Sequence, residues 1–387
     1  MNVVWLTSWF PNRTNPTTGD FIERHALAVA PFVKLLSVIA IIKDGAMPRH
    51  KVDIQQKQIG NLHIYTAYYG PGRWTGIIEK ILSQRKYLSL QKQLFNQIKK
   101  SAGIPDLVHV HVAMKAGMFA RVLKKKYGVP YLVTEHWSGY YQISKPNIYE
   151  MGKLYLRLNS KVLKDASLLL PVTNDLGETI NRDFVKLPYR VIPNVVDTNL
   201  FFYKPFLPPV FRFIHPSYMN YPKNPEGILQ ACRQLKNLGY QFELEMIGNM
   251  DSALLSLADD LGLLNETVYF EKEIPYIEVA WRMQQSSALL LFSRYENLPC
   301  IVLEALCCGL PVISSRVGGL AEVVNVSNGL LVQKENTTEL VKAMQQMIEG
   351  YHHYNRPAIA AAACVLYNYD VVGNSIVDAY SSLIKKQ

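Results

Sequence analysis

Two glutamates, Glu296 and Glu304, stand in the stretch ENLPCIVLEALCCGLPV, residues 296–312, with no other charge in it. Asn297, Leu298, Pro299, Cys300, Ile301, Val302 and Leu303 lie between them. A carboxylate in such surroundings is costly unless something pairs with it. Pro299 suits the first turn of a helix, and Gly309 and Pro311 end it, so the spacing predicts a helix over 299–308. Side chains lean toward a helix's start, where free N–H groups and the positive dipole end favour anions. A diphosphate at the helix start, ribose hydroxyls at Glu304 and a sugar near Glu296 make one coherent ligand. The alternatives are an ion pair from Glu304 to a core Arg or Lys, and a solvated loop position for Glu296.

Other chemistry-bearing side chains sit where strands end. PYLVTEHWSGYY, 130–141, closes an apolar run with Glu135 and His136. His109 and His111 alternate in LVHVHVAMKAG, which puts both on one face, with a core role open for either. Gly19, before a helix beginning near Asp20, allows close backbone approach to a phosphate or serves a plain turn. No D-x-D motif occurs, so the usual carboxylates for a metal-bridged diphosphate are missing and metal-independent chemistry is expected. A His/His/Glu metal set is weakly supported, and no nucleophilic triad motif is present.

These residues need a scaffold that ends strands side by side. Apolar strand-like runs (NVVWLTSW, VKLLSVIAII, LHIYTAYY, PDLVHVHV, PYLVTEH, ASLLLPVT) alternate with helical stretches at 18–31, 76–101, 114–127 and 150–164. That is the signature of a parallel sheet. Five prolines at 187–210 interrupt it. It restarts with FRFIHPS, FELEMIG, TVYFEK, ALLLFS, LPVISS and GLLV. The fold class is α/β: two Rossmann-like, doubly wound parallel-sheet domains. The expected boundaries are 1–190, a linker at 191–210, a second domain at 211–365, and a C-terminal helix at 366–387 that packs back on the first domain. Ligands of such sheets sit beyond the strands' carboxyl ends, here in an interdomain cleft.

Hydrophobic residues make up 49% and charged residues 19% of the 387, which excludes a disordered chain. Five cysteines without a C-x-x-C pattern read as reduced thiols, and the N-terminus reads as a strand, not a signal peptide, so a cytoplasmic protein is expected. Charge is uneven: residues 1–200 carry 27 Lys+Arg against 13 Asp+Glu, and the remainder 14 against 18. A basic half suggests an anionic partner or plain solubility. Residues 74–100 interleave apolar positions from Trp74 to Ile98 with Lys80, Arg85, Lys86, Lys92, Lys99 and Lys100. That fits a helix lying on anionic lipid, or a core-packing helix with solvated lysines. No nucleic-acid motif is visible, and no G-x-G-x-x-G follows a predicted strand, which argues against a dinucleotide oxidoreductase.

The segment SRYENLPCIVLEALCCGLPVISSRVGGLAEVV…NGLLV, 293–332, closely resembles the E-x7-E region of the retaining GT-B glycosyltransferases of family 4 (glycosyl transferases group 1). Segments 8–26 and 191–201 resemble the family's first loop and linker, so the likeness covers nearly the whole chain. It implies a GT-B fold and transfer of a sugar from a UDP- or GDP-sugar to a sugar or lipid-linked acceptor, without a cofactor. Surface polysaccharide, lipopolysaccharide or glycolipid synthesis is the implied setting, on the cytoplasmic face of an inner membrane. It puts His136 and Glu296 at the donor sugar, Glu304 at the ribose, and Gly19, Lys223, Asn297, Leu298 and Pro299 at the diphosphate. Lys223 also reads as a surface lysine at a helix start. The family's arginine position falls near Tyr218, and no arginine lies between Arg212 and Arg233. A nucleotide-sugar epimerase of the same fold and a non-catalytic binding homologue are the rivals.

Overall fold

The computed structural model describes residues 1–73 and 75–384. Trp74, and the last three residues of the expected 366–387 helix, lie outside them. The first elements are β1 (Asn2–Thr7), α1 (Asp20–Val29), β2 (Leu35–Lys43), β3 (Val52–Ile59), β4 (Leu62–Tyr69), α2 (Gly76–Ala102), β5 (Leu107–His111), α3 (Gly117–Tyr127), β6 (Tyr131–Glu135), α4 (Lys153–Asp165), β7 (Leu168–Pro171) and α5 (Asn174–Asp183). The chain continues with β8 (Arg212–Pro216), α6 (Pro225–Asn237), β9 (Glu243–Ile247), α7 (Ser252–Asp260), β10 (Val268–Glu271), α8 (Tyr276–Gln284), β11 (Ala288–Leu291), α9 (Cys300–Cys307), β12 (Val312–Ser315), α10 (Leu320–Val323) and β13 (Gly329–Val332). Three helices close it: α11 (Thr337–Glu349), α12 (Arg356–Tyr367) and α13 (Tyr369–Ile384).

Two compact units result: Met1–Val195 with the segment from Tyr369 onward, and Val196–Asn368. The first holds a seven-stranded sheet in the order β3-β4-β2-β1-β5-β6-β7. All its pairings are parallel except β3 with β4. β3 was not legible in the sequence, because VDIQQKQI is a mostly solvated edge strand without an apolar run. The second unit holds a six-stranded, wholly parallel sheet in the order β10-β9-β8-β11-β12-β13. In each sheet the first strand lies inside and successors leave it on both sides. The switch points are therefore β1/β5 and β8/β11, where loops diverge and leave a crevice.

The expected C-terminal helix is split. α12 ends at Tyr367, Asn368 is extended, and α13 begins at Tyr369. α13 packs on α1 within the first unit. Gly373 makes this possible, since a Cβ there would meet the Ala28 carbonyl oxygen at 2.1 Å. Under α13 runs a buried polar chain. Trp5 Nε1 donates to Tyr380 Oη at 3.0 Å, Tyr380 Oη meets His109 Nδ1 at 2.7 Å, and His109 Nε2 meets Thr134 Oγ1 at 2.6 Å. Both ring nitrogens of His109 have a hydroxyl partner, whichever of them carries the proton. His109 is thus a satisfied core histidine.

α2 divides along its length. Tyr87, Leu90, Leu94, Phe95 and Ile98 are buried, whereas Ile78, Ile81 and Leu82 are 53%, 50% and 39% exposed. Lys80, Arg85 and Lys86 are exposed beside them. The second part of the helix is therefore core-packing, and its first turns carry exposed apolar and basic side chains. All five cysteines are free. No helix among the described residues is long and apolar enough to cross a membrane.

Candidate active site

In the second unit the loops after β8 and β11 flank the switch point, and each is fixed from below. His215 is fully buried, with Nδ1 at 2.7 Å from the Leu290 oxygen and Nε2 at 2.8 Å from Ser217 Oγ. Burial pushes its pKa down to about 4. The neutral ring donates to the β11 carbonyl and accepts from Ser217, whose oxygen then accepts from Met219 N at 3.0 Å. Gly248 closes the far side at φ 136°, where a Cβ would meet the Ser217 oxygen at 1.9 Å.

Lys223 ends a short 3-10 turn, Tyr221–Lys223, just before α6. Its Nζ donates to Glu296 Oε1, and Ser293 Oγ donates to the same oxygen at 2.8 Å. The two charged side chains are 19% and 12% exposed. Arg294 fixes the turn: it donates to the Tyr221 oxygen at 2.6 Å and pairs with Glu226 at 2.7 Å and Glu335 at 3.0 Å. The position near Tyr218 carries an exposed tyrosine ring in place of a guanidinium.

Glu296 leads into Asn297 and Leu298, both buried, and Pro299. Pro299 precedes α9 instead of opening it, which corrects the expected 299–308 helix. It has no N–H, and its carbonyl accepts from Val302 N at 3.2 Å, so it can shape the turn but not donate to a phosphate. Gly318 lies against this loop at φ 50°, where a Cβ would meet the Glu296 oxygen at 2.2 Å. Gly319 N donates to the Asn297 oxygen at 3.1 Å. The Gly-Gly pair at 318–319 thus supports the backbone of Glu296 and Asn297.

α9 is apolar nearly all round, and Glu304 on it is 2% exposed. Tyr276, the first residue of α8, donates its hydroxyl to Glu304 Oε1 at 2.6 Å. Lys223, Ser293, Glu296 and Asn297 are thus brought together at one switch point, with Glu304 one turn into the helix that follows. Ser293 and Tyr276 are partners that sequence reasoning missed. Ser293 was within reach, three residues before Glu296. Tyr276, 28 residues before Glu304, left no signal.

In the first unit Gly19 precedes α1 at φ 71°, and a Cβ would meet the Trp9 and Phe10 backbone at 2.8 and 2.9 Å. No other residue fits there without moving the loop after β1. His136, directly after β6, is packed against Phe21 at 4.6 Å and His25 at 5.6 Å, and lies parallel to His111 at 5.9 Å between ring centroids. Burial holds the His136 and His111 imidazoles far below their ordinary pKa and pushes His25 to about 4. A side-chain hydrogen bond to Asn194 opposes this at His136. His136 is therefore a neutral ring near pH 7, able to bond a hydroxyl without adding charge. Asn194 was in view as part of VIPNVVDTNLF, but nothing in the sequence tied it to His136. Among the described residues no group of three or more His, Cys, Asp or Glu side chains is arranged to hold a metal ion.

Residues 210–363 match the family Glycosyl transferases group 1, and residues 56–200 match Glycosyltransferase Family 4. The chain is a family 4 glycosyltransferase. It is 22% identical over 369 residues to the putative teichuronic acid biosynthesis glycosyltransferase TuaC of Bacillus subtilis, covering 91% of this chain and 90% of that one. Its fold is similar to that of sucrose-phosphate synthase from Thermosynechococcus elongatus, with a TM-score of 0.82 at 18% identity over all of both chains. Anabaena HepE in complex with UDP gives 0.70 at 17% identity, over 99% of this chain and 100% of that one. This chain shares its two-domain GT-B architecture with these two solved structures. Members of the family use nucleotide-sugar donors and keep the anomeric configuration of the sugar they move.

Proposed function

We propose that this glycosyltransferase takes its sugar from a UDP- or GDP-sugar without a metal ion and delivers it to a hydroxyl of a glycan or lipid-linked acceptor. The observation carrying this reading is the Lys223–Glu296–Ser293 cluster at the β8/β11 switch point. The ammonium neutralises the carboxylate until a diphosphate arrives, and can then turn to it as a point charge. The Asn297–Leu298 backbone and the start of α9 face the same anion, Pro299 shapes the turn, and the family resemblance assigns Gly19 to the diphosphate as well. Glu304 accepts from ribose hydroxyls. Glu296 and neutral His136 bond the hydroxyls of the transferred sugar. Front-face departure of the diphosphate follows, and one of its oxygens takes the acceptor proton. Stabilising that leaving charge is the largest catalytic contribution.

The test incubates the enzyme with UDP- and GDP-sugars in EDTA, with and without a glycolipid acceptor, and analyses products by mass spectrometry and NMR. Transfer with retention is expected. Donor isomerised without an acceptor would favour the epimerase, and donor bound but unchanged the non-catalytic homologue. His136→Gln should lower kcat by about 10²-fold or more, the range of a hydrogen bond made at the reacting centre.

For the acceptor side, we propose that the first turns of α2 rest on an anionic bilayer. Ile78, Ile81 and Leu82 would enter its surface while Lys80, Arg85 and Lys86 meet the phosphates. Co-sedimentation with phosphatidylglycerol vesicles should exceed that with phosphatidylcholine and fall with salt. The double substitution Ile81→Asp, Leu82→Asp should abolish it and leave UDP binding intact.

A further inference from the structure

Glu135 is wholly buried, between two loops that end neighbouring strands. Its Oε1 accepts from His136 N and Trp137 N, both at 3.1 Å. Its Oε2 accepts from Ala113 N at 3.1 Å and from Tyr140 Oη at 3.2 Å. Four donors meet a group with about four lone-pair sites. None of them is a cation. A carboxylate taken from water without a counter-charge is unfavourable by several kcal/mol, so stability alone is a poor reason for it. A well-packed apolar residue would fold more cheaply.

What the carboxylate does is join the loop after β5 to the loop after β6. The first of these is strained: Val112, a β-branched residue, has φ 62°. Such a conformation persists only when its surroundings over-determine it. Here Val112 N donates to the Thr134 oxygen at 2.9 Å, and Ser8 Oγ donates to the Val112 oxygen at 2.8 Å. Glu135 holds the next residue, Ala113. Ala116 N then donates to Ser8 Oγ at 3.0 Å, so the loops after β1, β5 and β6 form one hydrogen-bonded set around the β1/β5 switch point. The backbone that carries the His136 ring is fixed to that set through Glu135 Oε1.

We propose that Glu135 is a positioning residue for the transfer reaction, fixing the backbone at His136 and thereby the imidazole's place at the transferred sugar. It acts only through His136, so the proposal rests on the assignment of His136 to that sugar. Glutamine at this position keeps the shape but turns an NH₂ toward N–H donors, which frees one of the two loops. A displacement near 1 Å at a reacting group costs about 10²-fold in rate.

The experiment compares Glu135→Gln, His136→Gln and wild type, each checked for fold by circular dichroism. It measures kcat, donor KM and calorimetric affinity for UDP per folded molecule. A fall in kcat of about 10²-fold, with donor KM and UDP affinity unchanged, is the expected signature of positioning. Wild-type kcat in Glu135→Gln, or a loss only of folded fraction with normal kcat in what remains, overturns the proposal while leaving His136 standing. Full activity in His136→Gln with a loss in Glu135→Gln overturns the link between them and the assignment of His136 itself. If Glu135→Gln does not fold, Tyr140→Phe decides. It removes one of the four donors and should lower kcat several-fold at unchanged UDP affinity, and wild-type kcat there overturns the proposal.

Discussion

Replacing Glu304 by Gln is expected to weaken nucleoside diphosphate binding by about 10- to 100-fold, the loss for hydrogen bonds to a charged group. The variant keeps the side chain's volume. Tyr276 can still donate to the remaining oxygen, so α8 and α9 stay joined as they are around Glu304 Oε1. What changes is the charge and the number of acceptors offered to a ribose. Folding should respond the other way. Glu304 is 2% exposed on an apolar helix, and removing a buried carboxylate relieves desolvation, so the melting temperature should hold or rise. The measurement is calorimetric titration with UDP, GDP, ADP and dTDP without metal, next to a thermal melt of the unliganded protein. Weaker binding with unchanged or higher stability marks a carboxylate kept for its ligand. Unchanged binding with lower stability marks one kept for the core, and the donor site must then be moved.

The opposed signs reflect what the sequence could convey. Strands with continuous apolar runs, such as Leu35–Lys43 and Ala288–Leu291, were legible because burial on both faces demands them. The solvated edge strand Val52–Ile59 was not, because nothing in VDIQQKQI requires a core. Helix boundaries moved where local chemistry overrode pattern: Pro299 became the residue before α9, and Asn368 broke an apparently continuous C-terminal helix. Candidate residues were legible by type and position, since strand ends at a switch point gather them whatever the intervening sequence. Their partners were not. Tyr276 reaches Glu304, Asn194 reaches His136, and Glu135 joins two loops by contacts that only folding creates. The sequence carries the elements and the charges. Which oxygen faces which donor is set by packing.

Lys223→Met should lower kcat by about 10²- to 10³-fold, the range seen when one group stabilising a developing charge is removed. It should also destabilise the free enzyme, because Lys223 is the cation paired with Glu296 in a site where the carboxylate is only 12% exposed. Losing one partner of a buried pair costs about 3–5 kcal/mol; the residual exposure and the Ser293 hydroxyl reduce that here. Activity loss and unfolding would then be confounded in the single variant. Adding Glu296→Gln separates them. The double variant has no unpaired charge, and Ser293 still donates to the amide oxygen, so its melting temperature should recover most of the loss. Its kcat should stay at or below that of Lys223→Met, because the ammonium for the leaving diphosphate is still missing and the carboxylate at the sugar is now gone as well. Recovery of both stability and activity would mean that Lys223 serves only to neutralise Glu296. Recovery of stability alone would mean that the ion pair keeps the cation in place, neutralised and partly dry, until the diphosphate takes it over.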